Sequence, residues 1–268
     1  MFKEYYGFSK NPFDKQSLAE KDAFPSKDHK EMTSMLSYLN KIRGIGVFTS
    51  GPGFGKTYAL RCFTKGLDRN LNDIAYMPLS TVGVADFYRL FCAALGIEAP
   101  YGKAAMFRAI QERLYHLFKE KRKPLLLILD EAQKLSTDIL NDLKMIMNHE
   151  FDSLNCFTLA LVGENRLNNT LEKPVHEALR QRIVISYTFE GLSEAETELY
   201  IIHKLQIAGV PASVLGEGTL PAISGYARGC PRLVDNLMNQ AFLLGAQLEK
   251  PSLDTSLIMA AVNNLALS

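Results

Sequence analysis

The sequence predicts an α/β protein in which a central parallel sheet is flanked by helices and followed by a small all-helical domain. Residues 125–129 and 157–162 are almost uniformly apolar, which is typical of strands that helices cover on both faces of a parallel sheet. Strand and helix patterns alternate in the first part of the chain, whereas only helical patterns follow residue 191. We therefore expect an N-terminal arm (residues 1–27), an α/β domain (residues 28–191) and a helical domain (residues 192–268).

The arm is rich in aromatic and turn-forming residues, which predicts an irregular segment whose rings pack on the main domain. Anchoring of the N-terminus and contact with a nucleotide base are both compatible with this composition. A helix with apolar residues along one face is predicted at residues 28–41, before a first strand at residues 45–49.

A glycine-rich segment follows this strand and matches the phosphate-binding loop pattern G-x-x-x-x-G-K-[ST] at every fixed position except the first. The segment reads Ser50-Gly51-Pro52-Gly53-Phe54-Gly55-Lys56-Thr57, and a helical pattern continues from Tyr58. Its three glycines allow backbone N–H groups to point at phosphates. Lys56 would reach the β- and γ-phosphates, and the Thr57 hydroxyl would take a Mg²⁺ position. Residues 50–58 are therefore the predicted nucleotide-binding segment.

Periodicity and turn-forming residues predict the remaining elements. In the α/β domain they are a strand at 74–79, helices at 84–95, 103–121 and 137–149, a helix or turn at 175–183 and a last strand at 184–189. In the helical domain a capping box at residues 193–196 opens a helix that ends at Gly209, and further helices are predicted at 217–226, 231–247 and 252–265.

The apolar strand at residues 125–129 leads into two carboxylates, Asp130 and Glu131. Open α/β sheets bind their ligands at the carboxyl ends of the strands, so these acids are expected near the glycine-rich loop. Asp130 would hold Mg²⁺ directly or through water, and Glu131 would polarise the attacking water as a general base. Together with Lys56, the two acids predict a nucleoside triphosphate hydrolase.

Two further polar segments could contact the nucleotide. Glu164 and Asn165 follow a buried strand, where Asn165 either senses the γ-phosphate or belongs to a polar turn. The segment Gly229-Cys230-Pro231-Arg232 opens a helix, because proline favours the first helical position. Arg232 at this rigid helix start could reach the phosphates from a movable lid, so that the lid position would depend on the bound nucleotide.

Composition narrows the possible functions. A chain of 268 residues with 47% hydrophobic and 22% charged residues is an ordinary soluble globular protein. A net charge of +1 means that nucleic-acid binding would need a local patch or several subunits acting together. The four cysteines form no C-x-x-C pair, so we expect reduced core thiols. No apolar run approaches the ~18 residues of a membrane helix, and no signal peptide is evident, so we expect a cytoplasmic protein.

These motifs resemble those of an AAA+ ATPase with a P-loop NTPase fold, with Walker A at 50–57, Walker B at 125–131 and sensor 2 at 229–232. Within that class the chain is similar to the ExeA/GspA family of secretion ATPases and to the related transposition ATPases of the TniB, TnsC and MuB type. The segments that carry this similarity are Tyr5-Tyr6-Gly7-Phe8, Asn11-Pro12-Phe13, Leu127-Ile128-Leu129-Asp130-Glu131-Ala132-Gln133, Leu179-Arg180-Gln181-Arg182-Ile183 and residues 229–233. The chain departs from the family pattern at Ser50, and at Glu164-Asn165, where Gln-Pro is more usual.

The resemblance implies ATP and Mg²⁺ as cofactors and a homo-oligomeric ring or filament. It also implies that Arg180 or Arg182 is an arginine finger that completes the ATP site of a neighbouring subunit, although either arginine could instead pair with a carboxylate. The preference for ATP over GTP comes from the family, because no base-reading signature stands out in these residues.

The family offers two different functions. Secretion members carry a membrane span and a wall-binding domain beyond the ATPase, and neither follows in the sequence to Ser268, so we expect a stand-alone ATPase that accompanies a transposase. It would oligomerise with ATP on double-stranded DNA and regulate target selection or transposase recruitment, without contact to a membrane. The candidate DNA contacts are Lys103, Arg108, Lys119, Lys121, Arg122 and Lys123. The alternatives are a soluble secretion-type ATPase in envelope assembly without DNA binding, and a nucleotide-gated protein-binding switch with little turnover.

Overall fold

A parallel sheet lies at the centre of the α/β part of the computed structural model, which describes residues 2–14, 19–81, 83–150 and 154–266. Within these ranges the sheet has five strands in the order β2-β3-β4-β1-β5. The strands are β1 (Ile45–Ser50), β2 (Asp73–Pro78), β3 (Leu125–Asp130), β4 (Phe157–Glu164) and β5 (Ile183–Thr188). The predicted parallel sheet flanked by helices is confirmed.

Helices connect the strands and form the whole C-terminal part. They are α1 (Phe2–Tyr6), α2 (Lys27–Ile42), α3 (Lys56–Gly66), α4 (Val84–Ala94), α5 (Lys103–Lys119), α6 (Thr137–Ile146), α7 (Arg166–Leu171), α8 (Glu177–Arg180), α9 (Glu194–Ile207), α10 (Thr219–Ala227), α11 (Pro231–Gln247) and α12 (Thr255–Ala266). Short 3₁₀ turns lie at Glu20–Asp22, Ala132–Lys134, Pro174–His176 and Ala212–Val214. The sequence patterns did not predict α1 or α7. Among the described residues, no helix is long and apolar enough to cross a membrane.

The strand register explains why the polar residues after the strands gather at one edge of the sheet. Every neighbouring pair of strands is parallel. Ser50 at the end of β1 pairs with Glu164 at the end of β4, and Asp130 at the end of β3 pairs with Pro78 at the end of β2. All six residues of β1 and of β3 are buried, as their apolar sequences predict.

The helices bury apolar stripes against this sheet. Phe87 and Phe91 of α4 and Ile110 and Leu114 of α5 are completely buried in one core with the strands. Both helices therefore contribute to the core that lies against the sheet. Burying each of these side chains contributes about 1.5–3 kcal/mol relative to leaving it in water.

The chain forms two compact units. The α/β unit contains residues 31–52 and 56–189, and the helical unit contains residues up to 30, residues 53–55 and those from 190 onward. The helical unit resumes at residue 190, close to the boundary predicted at residue 191. The N-terminal segment, however, belongs to the helical unit rather than forming a separate arm.

Aromatic contacts account for this grouping of the N-terminal segment. The ring of Phe242 in α11 lies 4.8 Å from that of Phe8, 6.0 Å from that of Phe13 and 6.2 Å from that of Phe2, measured between centroids. Each such aromatic pair stabilises by about 0.5–1.5 kcal/mol beyond its buried area. The expectation that the arm packs on the main α/β domain is therefore wrong, because its rings find their partner in the helical unit.

Polar contacts also stabilise the helical unit. The predicted capping box is present at the start of α9: Ser193 Oγ accepts a hydrogen bond from Glu196 N, and Glu196 Oε2 accepts one from Ser193 N, each at 3.1 Å. Lys204 is only 2% exposed, and its Nζ lies 2.6 Å from Asp235 Oδ1. Burial lowers the pKa of Lys204, and the neighbouring Asp235 carboxylate opposes that shift.

Candidate nucleotide-binding and hydrolysis site

The glycine-rich loop joins β1 to α3, which begins at Lys56. Gly53 and Gly55 have φ values of 88° and 94°, in the left-handed region that side-chain-bearing residues rarely adopt. The loop therefore turns sharply into the N-terminus of an eleven-residue helix, where free backbone N–H groups and the helix dipole favour phosphate.

Gly53 also packs closely against the Gly229–Arg232 segment, which belongs to the same helical unit. Arg232 N donates to the Gly53 carbonyl at 3.3 Å. A β-carbon on Gly53 would lie 2.8 Å from Arg232 Cβ and 2.9 Å from Cys230 Sγ, both closer than real β-carbons approach. The residue at position 53 is therefore restricted by packing as well as by backbone conformation.

Oxygens of the loop hold the Lys56 ammonium. Its Nζ donates to Ser50 Oγ at 2.6 Å, to the Gly51 carbonyl at 3.1 Å and to the Ser50 carbonyl at 3.3 Å. Ser50, which replaces the usual first glycine of the pattern, thus contributes a hydroxyl contact to Lys56. A lysine amine has three donor hydrogens, so these oxygens can accept all of them.

Asp130 lies at the centre of a hydrogen-bonded cluster at the carboxyl edge of the sheet. It is only 4% exposed, and its Oδ2 accepts hydrogen bonds from Thr57 Oγ1 at 2.9 Å and from the Tyr76 hydroxyl at 2.8 Å. Burial raises the pKa of Tyr76, and the hydrogen bond to Asp130 raises it further, so the phenol stays protonated and donates.

The donor set at this cluster fits Mg²⁺. A hydroxyl and a carboxylate are hard oxygen ligands, and Mg²⁺ commonly binds through one or two protein oxygens together with substrate phosphates and water. Among the described residues, no group of three or more His, Cys, Asp or Glu side chains could hold a metal ion by itself. Thr57 and Asp130 are therefore the residues that would hold the ion beside a triphosphate.

Glu131 follows Asp130 in a left-handed backbone conformation, with φ 61° and ψ 32°. Its backbone N–H donates to Asp130 Oδ1 at 2.9 Å. Its carboxylate Oε2 accepts a hydrogen bond from Gln133 Nε2 at 2.9 Å and lies 3.5 Å from Lys134 Nζ. The left-handed turn therefore directs this second acid away from the strand and into contact with the following 3₁₀ turn.

At the end of β4, the predicted γ-phosphate residue Asn165 is exposed, and its side chain does not cap α7. Glu164 pairs with Arg166, Oε2 to Nε, at 3.0 Å. The Glu164 backbone N–H donates to Gln133 Oε1 at 3.0 Å. The side chain of Gln133 therefore links the main chain of β4 to the carboxylate of Glu131 through two hydrogen bonds.

The two candidate finger arginines contact main-chain oxygens of their own chain. Arg180 Nη1 donates to the carbonyls of Leu171 at 3.4 Å and Glu172 at 2.8 Å. Arg182 Nη1 donates to the Lys144 carbonyl at 3.2 Å. The structure thus holds Lys56 against oxygens of Ser50 and Gly51, and it joins the next residue, Thr57, to Asp130, which also accepts from the Glu131 backbone. The hydrogen bonds given for Arg180 and Arg182 go to Leu171, Glu172 and Lys144, and Asn165 is exposed.

The remaining residues of the predicted nucleotide segment make local contacts. The Tyr58 ring lies 5.0 Å from the Arg61 guanidinium, which belongs to the same helix. Phe54 packs so closely on Gly191 within the helical unit that a β-carbon on Gly191 would lie 2.7 Å from its ring. Pro52 lies in the loop between Gly51 and Gly53.

Of the candidate DNA contacts, two are engaged in ion pairs. Lys103 Nζ lies 2.7 Å from Asp142 Oδ2, and Lys119 Nζ lies 3.3 Å from Glu150 Oε1. Arg108, Lys121 and Arg122 are exposed, and Lys123 is partly buried.

Sequence reasoning missed Tyr76 and Gln133 as site residues. Tyr76 contacts Asp130 only because β2 lies next to β3 in the sheet, and strand order is not visible in a local pattern. Gln133 was part of the segment that resembles the family's hydrolysis strand, and its spacing of two from Glu131 was the only signal for its contact.

Residues 40–171 match the family model of the AAA domain. Together with the strand order, this match shows that the chain contains an AAA domain of the AAA+ ATPase class, which uses ATP and Mg²⁺. Within that class it is similar to General secretion pathway protein A of Aeromonas hydrophila, with 27% identity over 248 residues. The match covers 91% of this chain and 44% of that protein, so the chain spans less than half of its relative's length.

Solved structures confirm the predicted fold. Cdc6p from Pyrobaculum aerophilum is 17% identical with a TM-score of 0.69, covering 90% of this chain and 67% of that one. The Aeropyrum pernix ORC1 protein, solved in complex with DNA, is 18% identical with a TM-score of 0.63, covering 96% and 70%. The Thermotoga maritima RuvB branch migration motor is 17% identical with a TM-score of 0.59, covering 89% and 69%. At these identities the likeness is one of fold.

Proposed function

We propose that this AAA+ ATPase assembles with ATP on duplex DNA in the cytoplasm and regulates transposition, by selecting the target or recruiting a transposase. The observation that carries the DNA part of the proposal is the likeness of fold, over 96% of the chain, to an ORC1 protein solved in complex with DNA. The link to transposition rests on the resemblance of the motifs to the TniB, TnsC and MuB type.

In the proposed hydrolysis step, Lys56 binds the β- and γ-phosphates, and the loop N–H groups orient the triphosphate for in-line attack. When bound, Mg²⁺ supplies charge neutralisation for the phosphate oxygens, held by Thr57 and Asp130. Glu131 orients the attacking water and accepts its proton. These roles are supported by two adjacent sets of hydrogen bonds: Lys56 donates to Ser50 and Gly51 of the loop, and the next residue, Thr57, donates to Asp130 at the end of β3.

Three further residues are proposed to couple hydrolysis to assembly. Arg180 or Arg182 acts as a finger toward the ATP of a neighbouring subunit, and Asn165 senses the γ-phosphate from the end of β4. Arg232 responds to the nucleotide from the start of α11, a role supported by the contact of its backbone with Gly53 of the loop. An arginine supplied in trans makes turnover depend on oligomer formation.

The basic turn after α5 supports a DNA contact. The turn lies at the amino ends of the strands, whereas the glycine-rich loop lies at their carboxyl ends. Lys121 and Arg122 are exposed on this turn, which leads into the amino end of β3. The turn adjoins the start of β2, because Asp73 N donates to the Pro124 carbonyl at 3.1 Å. Repetition of such a patch along an oligomer would add phosphate contacts despite a net charge of only +1 per chain.

The proposal is tested by fluorescence anisotropy of a labelled 50-base-pair duplex with ATP, with ADP and without nucleotide, over a range of salt concentrations. We expect ATP-dependent binding that weakens with salt. Replacing Lys121 and Arg122 together by alanine should reduce the slope of log affinity against log salt by about one per charge removed. The matched control replaces two exposed lysines of the helical unit, Lys3 and Lys30, by alanine and should leave the slope unchanged. Absence of ATP-dependent binding at low salt would overturn the DNA assignment.

A second candidate, a secretion-type ATPase in envelope assembly without DNA binding, is favoured by the sequence match to General secretion pathway protein A over 91% of the chain. This candidate predicts the same Mg²⁺-dependent hydrolysis, but no effect of duplex DNA on turnover. Measuring the ATPase rate with and without saturating duplex therefore separates the two functions.

A further inference from the structure

We infer that Gln133 is a positioning residue for ATP hydrolysis. Its side chain is anchored to the main chain at the end of β4 and holds the carboxylate of Glu131 in place. The inference rests on the proposed role of Glu131 as the group that orients the attacking water. It adds a residue outside the nucleotide-binding loop and the acidic pair.

Both ends of the Gln133 side-chain amide are engaged. Its Oε1 accepts a hydrogen bond from the Glu164 backbone N–H at 3.0 Å, and its Nε2 donates to Glu131 Oε2 at 2.9 Å. A backbone N–H can only donate, so the oxygen of the amide must face Glu164 and the nitrogen must face Glu131. The main chain of β4 thereby dictates that Gln133 presents a donor to the catalytic carboxylate.

Gly163 makes room for this arrangement. A β-carbon at position 163 would collide with Gln133 Oε1 and would lie 3.2 Å from Gln133 N and 3.4 Å from Ala132 N. The φ of Gly163 is not in the left-handed region, so it is space rather than backbone conformation that requires glycine here. Because residue 163 has no side chain, Gln133 can lie against β4.

Glu131 needs such a contact because its side chain is half exposed. The exposed fraction is 47%, and the other described partner of its carboxylate is Lys134, itself 37% exposed and 3.5 Å away. An exposed ion pair of this kind holds a side chain weakly, since water and salt screen it. The amide of Gln133, oriented by the backbone, is the better-defined contact. Misplacing a reacting group by about 1 Å can cost about 100-fold in rate.

Two substitutions separate the roles of the amide. Gln133→Glu keeps an acceptor for the Glu164 N–H but removes the donor to Glu131, and Gln133→Met removes both. We expect either change to lower kcat about 10- to 100-fold, while the affinity for a fluorescent ATP analogue changes less than about twofold, because Lys56 and Thr57 are untouched. Gln111→Met is the matched control, since Gln111 donates to the Met145 and Asn148 carbonyls outside the site, and its kcat should not change.

A double-mutant cycle tests whether Gln133 acts through Glu131. Single-turnover hydrolysis is measured for Glu131→Gln alone and combined with Gln133→Met, with melting temperatures to verify folding. If Gln133 acts only through the carboxylate, Gln133→Met lowers the rate less than about twofold once Glu131 has been replaced. Gly163→Ala, which displaces Gln133 without altering it, should reproduce the fall in kcat in the wild-type background.

The outcomes distinguish the inference from the function on which it rests. If Glu131→Gln hydrolyses ATP at the wild-type rate, the role of Glu131 is wrong and the inference falls with it. If Glu131→Gln hydrolyses ATP more slowly but the Gln133 variants keep the wild-type kcat, only the inference is overturned. An equal fall on Gln133→Met in both backgrounds would also overturn it, because the residue would then act independently of Glu131.

Discussion

The ends of β3 and β4 are neighbours at the carboxyl edge of the sheet, and the protein uses them in different ways. Asp130 at the end of β3 is buried and accepts hydrogen bonds from the side chains of Thr57 and Tyr76. Asn165 after β4 is exposed, and its side chain does not cap the following helix. In sequence, both places read as a buried strand followed by two polar residues.

At the end of β3 the side chain of Asp130 makes the contacts, whereas at the end of β4 the main chain contacts Gln133. The backbone N–H of Glu164 orients Gln133, and Gly163 leaves the space that Gln133 occupies. Contacts from neighbouring elements hold the Asp130 side chain in its buried position. Thr57 from α3 and Tyr76 from β2 supply such contacts to Asp130.

The largest effect that this comparison predicts is that of Asp130→Asn. The change removes the negative charge that would hold Mg²⁺, and it leaves an amide where Thr57 and Tyr76 both donate. We expect kcat for ATP hydrolysis to fall about 100-fold or more. Asn165→Ala at the other strand end should lower kcat by less than about tenfold, because the structure gives that side chain no comparable cluster. Equal losses in a steady-state phosphate-release assay would show that the two ends do not differ.

A smaller effect is expected from Tyr76→Phe, which tests one of the contacts of Asp130 at the end of β3. The change removes one of the two hydrogen bonds to Asp130 Oδ2 and keeps the ring. One such bond contributes about 0.5–1.5 kcal/mol, which corresponds to a roughly two- to tenfold fall in kcat/KM measured over a series of Mg²⁺·ATP concentrations. The control is Tyr38→Phe, at an exposed tyrosine of α2, and it should leave kcat/KM unchanged. A Tyr76→Phe enzyme with unchanged kcat/KM would mean that the Tyr76 hydrogen bond does not contribute to positioning Asp130.

The parts of the fold and site that follow from the sequence are those encoded in short segments. The glycine loop, the buried strand that ends in Asp130, and the capping box at Ser193 each combine a residue pattern with a local conformation, and all three form as expected. The parallel sheet was predictable because its central strands are apolar on both faces.

The parts that did not follow depend on which distant elements become neighbours. Tyr76 joins the site through strand order, and the N-terminal rings pack on Phe242 because that side chain is presented by α11 in another part of the chain. The helix α7 was missed because a six-residue helix carries too little periodicity to be seen. The sequence pattern also did not show the effect of Ser50. Its hydroxyl oxygen lies 2.6 Å from Lys56 Nζ, so the residue that departs from the motif contacts the lysine of the motif.

We propose above all that Lys56 and the loop bind the phosphates of Mg²⁺·ATP beside Asp130. The decisive experiment is isothermal titration calorimetry of Mg²⁺·ATP against the wild-type protein and Lys56→Ala, with thermal melting to verify that both are folded. We expect the variant to bind at least about 100-fold more weakly, since it loses the charge aimed at the β- and γ-phosphates. An unchanged dissociation constant in a folded Lys56→Ala protein would contradict it.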